Sequence, residues 1–245
     1  MRSMCRSVLV ALVAALAFSA VAASASFALE KYEFLKGGVG ISGKEFRSAQ
    51  VGNSILRISN AIEITCRSGS SKGKFATNTS NVEKVKVTFD TCTAPKEGGG
   101  TCEFSNSGNP DEDELKMGEI KGTLGETTVG TTVGLDLAPE TGSTSFVEIE
   151  GHPAGGGGCG LLTKLKGSVI GEVVSPINGE KVTGTLKFAE NATKEQLIQN
   201  IEEEGSEGVV DNGDALASVY SSNRLINTTE IELTTKEAFE VHAPA

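Results

Sequence analysis

Lys84-Val-Lys-Val-Thr-Phe-Asp-Thr-Cys92 alternates apolar and polar side chains, with Val85, Val87 and Phe89 on one face and Lys84, Lys86 and Thr88 on the other. A side-chain period of two is the mark of a half-buried strand. Outward from it the signature repeats. Ile62, Ile64 and Cys66 oppose Glu63 and Thr65; Val133, Leu135 and Leu137 oppose Gly134 and Asp136. Comparable runs cover 146–149, 161–165, 168–173, 182–188 and 230–233, separated by turn-forming clusters such as Ser105-Asn-Ser-Gly-Asn-Pro110 and Ser175-Pro-Ile-Asn-Gly179. Many short strands between turn signals predict an all-β chain, an antiparallel β-sandwich with a β-barrel as the alternative. One stretch competes: Thr193-Lys-Glu-Gln-Leu-Ile-Gln-Asn-Ile-Glu-Glu-Glu204 opens with a capping-box-like Thr193/Gln196 pair and stops at Gly205, so a short helix near 193–204 stands beside an extended reading. The polar stretch 211–227 carries only a turn signal, at Asp211-Asn-Gly-Asp214.

The first residues read as a secretory signal peptide. Arg2 and Arg6 precede the apolar run Val8–Phe18, and the Ala23-Ser-Ala25 triplet offers small side chains for cleavage after Ala25. A spanning helix needs roughly 20 apolar residues, and Ser19 and Ser24 interrupt this one. The expected organisation is therefore a signal peptide over 1–25 and a single secreted β domain over 26–245. Without 1–25 the chain holds 20 Lys and Arg against 32 Asp and Glu, a formal charge of −12. A surface of that balance repels phosphate backbones and anionic headgroups, so neither nucleic acid nor membrane is an expected partner after cleavage.

Cys5 leaves with the signal, and Cys66, Cys92, Cys102 and Cys159 remain. An even number in an exported chain predicts two disulfides, with three connectivities open. Cys92 and Cys102 bracket a segment rich in glycine that lets a strand turn back, which favours Cys92–Cys102 and leaves Cys66–Cys159 as a long-range staple. A zinc site would want closely spaced Cys-x-x-Cys pairs or more than the two histidines present.

The succession Ile62–Cys66, Val87-Thr-Phe-Asp-Thr-Cys92, Lys121-Gly-Thr-Leu-Gly125, Val133–Pro139, Lys166–Val173, Pro176-Ile-Asn178 and Leu186-Lys-Phe188 resembles a paralogous set of secreted, uncharacterised proteins of high-GC Gram-positive soil bacteria. The likeness runs over roughly residues 30–240 and consists of strands, glycines and cysteines. It implies an exported, mainly β protein and transfers no catalytic or binding residue.

Few patterns carry chemistry. Gly38-Val-Gly-Ile-Ser-Gly43-Lys44 matches a dinucleotide pattern, but Glu45 stands where a phosphate loop needs Ser or Thr and no α/β unit flanks it, so a turn is expected. Ala138-Pro-Glu-Thr-Gly142 resembles a sortase signal but lacks the apolar segment and basic tail that should follow, and it too reads as a turn. A Cys159/His152 pair needs a free thiolate that an oxidised Cys159 does not offer. Glu119, Glu126, Asp136, Glu148, Glu150 and Glu172 lie in or beside predicted strands, where two carboxylates across a cleft would suit glycoside hydrolysis. Against that, sugar clefts commonly stack rings on aromatics, and the chain has no Trp and only Tyr32 and Tyr220. Asp111, Asp113, Asp211 and Asp214 place hard oxygen donors on turns and are the candidate calcium ligands; no other cofactor is expected. The reading that follows is a non-catalytic secreted structural or binding module facing an extracellular protein or glycan. A polysaccharide hydrolase with paired carboxylates is the alternative, and a barrel enclosing a small apolar molecule the third.

Overall fold

The stretch that alternates so regularly becomes part of a 15-residue strand, Asn81–Pro95, one of four unusually long strands that run side by side. The structure, a computed structural model, describes residues 32–58, 62–96, 99–108, 114–127, 132–140, 145–153, 159–192, 196–198, 201–202, 216–218 and 221–243; over 201–229 it is described at the level of the backbone. In chain order the strands are β1 (Glu33–Lys36), β2 (Val39–Gly40), β3 (Glu45–Arg57), β4 (Glu63–Phe75), β5 (Asn81–Pro95), β6 (Thr101–Asn106), β7 (Glu114–Lys116) and β8 (Ile120–Thr127). They continue as β9 (Val133–Pro139), β10 (Val147–Pro153), β11 (Leu162–Lys166), β12 (Val169–Ser175), β13 (Lys181–Phe188), β14 (Ile201–Glu202), β15 (Leu216–Ser218) and β16 (Ser221–His242). All belong to one compact unit, Lys31–Ala245. The predicted signal peptide over 1–25 lies outside the described residues.

Strands β16, β3, β4 and β5 pair in that order, antiparallel throughout. The outer edge of β5 takes β8 at Asn81–Val85, β7 at Thr88–Asp90 and β6 at Cys92–Pro95. The outer edge of β16 takes β13 at Thr229–Phe239 and β15 at Ser221–Leu225. Between those edges β8, β9, β12 and β13 pair in sequence and close an eight-stranded antiparallel barrel. A second circuit, β6-β10-β11-β15, links the other ends of the same four-stranded wall. The all-β expectation therefore holds in its barrel form, and the two-layer sandwich gives way to a sheet that returns to its own first strand.

Local irregularities make the shared wall. The β3–β4 register shifts between Ala49 and Ser54, around Gly52 at φ 75°, a conformation that a Cβ disfavours. Thr91, at φ 52°, separates the inward-facing Phe89 and Cys92 of β5. Such bulges bend and twist a strand, which lets one wall serve two circuits.

Two expectations are corrected. The segment read as a short helix near 193–204 has no helix among its described residues: Gln196 forms a bridge to Glu190, and Ile201–Glu202 pairs with β8. The amphipathic residues are used in tertiary contact, since buried Ile198 packs on Ile170 and Gln196 Nε2 donates to the Ile170 carbonyl at 3.0 Å. The disulfides are Cys66–Cys92 and Cys102–Cys159, with Cα separations of 4.0 and 5.8 Å, and not Cys92–Cys102 and Cys66–Cys159. Register explains it: Cys66 faces Cys92 directly across β4 and β5, whereas in the β5–β6 pair Cys92 faces Phe104 and Cys102 faces Ala94.

Candidate functional site

Inward-facing side chains fill the barrel as layers, and the alternation that defined each strand decides which residues they are. Leu135 and Leu137 of β9, Val169 and Val173 of β12, Leu186 and Phe188 of β13, and Ile231 and Leu233 of β16 belong to one continuous apolar core with Val82, Val85 and Val87 of β5. At one end Phe75 is fully buried, its ring centroid 4.9, 5.4 and 5.6 Å from those of Phe34, Phe46 and Phe239. Glycines make room where bulk is greatest: a Cβ on Gly122 would come within 2.8 Å of both Leu137 and Val82.

The packing leaves two apolar chambers of about 70 Å³ each. One lies inside the barrel between Phe46, Val85, Leu135 and Val173; the other lies toward the second circuit between Leu56, Phe89, Leu115 and Phe146. Val87, Leu137 and Ile231 line both and form the partition. Neither lining includes a charged side chain. The polar groups are hydroxyls: Ser48 and Ser71 hydrogen-bond each other at 2.7 Å in the first chamber, and buried Ser54 borders the second. Such a lining can hold an apolar molecule.

No family model matches the chain, and no curated protein or solved structure matches it.

The strand acids do not enter this space. Glu119 is an outer-surface group 2.9 Å from Lys86 Nζ; the hydrogen bond and charge of Lys86 hold its carboxyl below the usual glutamate range. Glu148 pairs with Lys164 at 3.1 Å, Glu150 accepts from the Gly108 N–H at 3.2 Å, and Glu126 accepts from the Tyr32 hydroxyl at 3.3 Å. Asp136 and Glu172 face Ile170 and Lys187 across neighbouring strands. None of the six lines either chamber.

Cys159 is bonded to Cys102, which removes the thiolate of a Cys159/His152 pair. His152 instead places Nε2 3.0 Å from Ser105 Oγ, a contact invisible in sequence because the two residues stand on different strands, β10 and β6. Ser105 is only 2% exposed, so this pair offers no surface to a substrate carbonyl. Gly37 and Gly38, both at positive φ, form the turn between β1 and β2, and Lys44 pairs with Glu237 at 3.4 Å; the glycine pattern is a hairpin, as expected. Ala138 and Pro139 end β9, while 141–144 lie outside the described residues. The calcium candidates Asp111, Asp113, Asp211 and Asp214 also lie outside them, and among the described residues no cluster of His, Cys, Asp or Glu could hold a metal ion.

Proposed function

We propose that the chain is a non-catalytic exported binding module that holds a small apolar molecule in its barrel. The observation that supports this reading is the pair of chambers, walled by aliphatic and aromatic side chains and divided only by Val87, Leu137 and Ile231. Eight-stranded barrels have the interior width for one small ligand, and dry apolar cavities of about 150 Å³ are known to admit molecules the size of benzene. A rotamer change at the Leu137 or Ile231 partition would join two spaces of about 70 Å³ into one of that order. Two disulfides accord with an oxidising, extracellular setting.

The test is the melting temperature of residues 26–245 against a series of six- to ten-carbon hydrocarbons and alcohols. A ligand at 100 times its Kd adds about 2.7 kcal/mol, and the series should show an optimum length. Leu137→Phe, which fills the partition, should erase the shift while leaving the fold intact. A flat series on folded wild-type protein defeats the proposal.

A further inference from the structure

Cross-strand neighbours on the outer face of this sheet commonly alternate in sign. Glu148 faces Lys164, Lys187 faces both Glu172 and Glu230, Lys74 faces both Glu45 and Glu83, and Arg57 faces Glu63. Two acid pairs depart from the pattern, Asp90 facing Glu114 and Glu126 facing Glu202, and so does one row of cations. Arg47 of β3 faces Lys72 of β4, and Lys72 faces Lys86 of β5, three cations side by side across adjacent strands. In no other described register of the sheet does a cation face a cation. Like charges placed directly opposite destabilise a sheet, and neighbouring strands hold these only about 4.8 Å apart in backbone spacing.

Lys74 and Lys84 join the row around a concavity of about 280 Å³ that also includes Glu45. Lys84 stands at φ 53°, a left-handed conformation disfavoured for a residue with a Cβ, at the point where the β5–β8 register shifts between Val82 and Val85. Glu45 pairs with Lys74 at 3.7 Å, and Glu119 pairs with Lys86 at 2.9 Å. Five cations thus line the concavity with a single acid, Glu45, while Glu83 faces Lys74 and Glu119 pairs with Lys86, on a chain whose formal charge is −10. Among the described residues Arg47, Lys72 and Lys84 have no carboxylate within 4 Å.

We propose that this concavity on the outer face of β3, β4 and β5 is a binding site for a multiply charged phosphate anion. Exposed cations gain little from a single negative charge in water, so the site selects ligands that engage several of them at once. The guanidinium of Arg47 supplies a planar fork suited to phosphoryl oxygens, and the lysines supply point charges around it. The site shares Phe46 with the first apolar chamber, but none of its cations lines either chamber.

The probes are inorganic tripolyphosphate, pyrophosphate and orthophosphate at low ionic strength, with sulfate as the comparison anion and calorimetry and thermal unfolding as readouts. Affinity should rise with phosphate chain length and fall as salt is added. Lys72→Gln should weaken tripolyphosphate roughly ten-fold or more, the scale of one charge-assisted contact, and Lys72→Gln/Lys86→Gln should abolish it. Because the substitution also relieves the repulsion in the row, the anion-free Lys72→Gln protein should melt no lower than wild type. Lys187→Gln, on another part of the surface, should bind as wild type does. Equal loss in Lys187→Gln, or no loss in Lys72→Gln, overturns the site. Sulfate binding as tightly as tripolyphosphate overturns the phosphate assignment.

Discussion

Phe75 has no exposed surface and touches the rings of Phe34, Phe46 and Phe239, so β1, β3, β4 and β16 meet on one side chain. Phe75→Ala removes that meeting point and should cost about 3–5 kcal/mol, seen as a fall of roughly 6–20 °C in Tm. Gly171 tests the opposite change. A Cβ there would stand 2.8 Å from Leu186 Cγ and 2.9 Å from Phe188 Cε1, so Gly171→Ala should destabilise by about 1–3 kcal/mol through overpacking, measurable in urea. The exposed ion pairs act by pH and weakly. Lys86 holds Glu119 below the usual glutamate range, chiefly through its hydrogen bond and then through its charge, and Lys36 and Lys44 do the same for Glu237. Depressed carboxyl values contribute stability above the ordinary glutamate range, and that contribution is lost as pH falls through the lowered folded-state values. Glu119 raises the value of Lys86, so the lysine's contribution is complete below its ordinary range and is lost as pH rises through the raised value. Glu119→Gln should therefore melt slightly below wild type near neutrality, converge with it in acid, and differ less in high salt.

Elements differ in how openly the sequence announces them. Strands β5, β9 and β13 and the start of β4 could be read because their inward positions are mostly apolar and their outward positions polar, whereas β12 also carries Ile170 and Val174 on its outward side. β3 could not: Ser48 lines the first chamber, while Val51 is 47% exposed, so polarity is partly inverted along that strand. The 193–204 segment misled for a related reason. Its apolar residues have helical spacing, but Gln196 and Ile198 are spent on covering Ile170. Gln196→Ala leaves the Ile170 carbonyl without that donor and should cost about 1–3 kcal/mol, with faster hydrogen exchange in β12 as the local sign. Cysteine pairing depends on register, which composition does not contain. Partial digestion should recover a Cys66–Cys92 peptide and a Cys102–Cys159 peptide. In the chain-entropy picture the two loops, with separations of 26 and 57 residues, are worth about 3.5 and 4.2 kcal/mol. Removing the second bridge should therefore lower stability by slightly more.

For the molecule as a whole, antiparallel alternation was legible and closure was not, because closure depends on bulges and on which strand the last one meets. The lumen followed the same division. Val85, Val87, Phe89, Leu135 and Leu137 of its lining were legible by parity, while Phe34, Phe46, Leu56 and Leu115 were not, and the chambers between them depend on how Val87, Leu137 and Ile231 fit together, which no local pattern encodes. Net charge behaved likewise: the total of −10 conceals a row of three facing cations. Strand β16 bears on folding rather than binding. It alone joins β3 to β13 in the barrel and β3 to β15 in the second circuit, and it also holds β1. It is therefore the last stave for both rings. A chain delivered N-terminus first, from a ribosome or through a membrane pore, must wait with the edges of β3 and β13 open until Ser221–His242 arrives. Long-range pairing of this kind is intrinsically slow, and an open edge is a template for another chain. Topology alone thus keeps the polypeptide unclosed, and still threadable, until Ser221–His242 has passed.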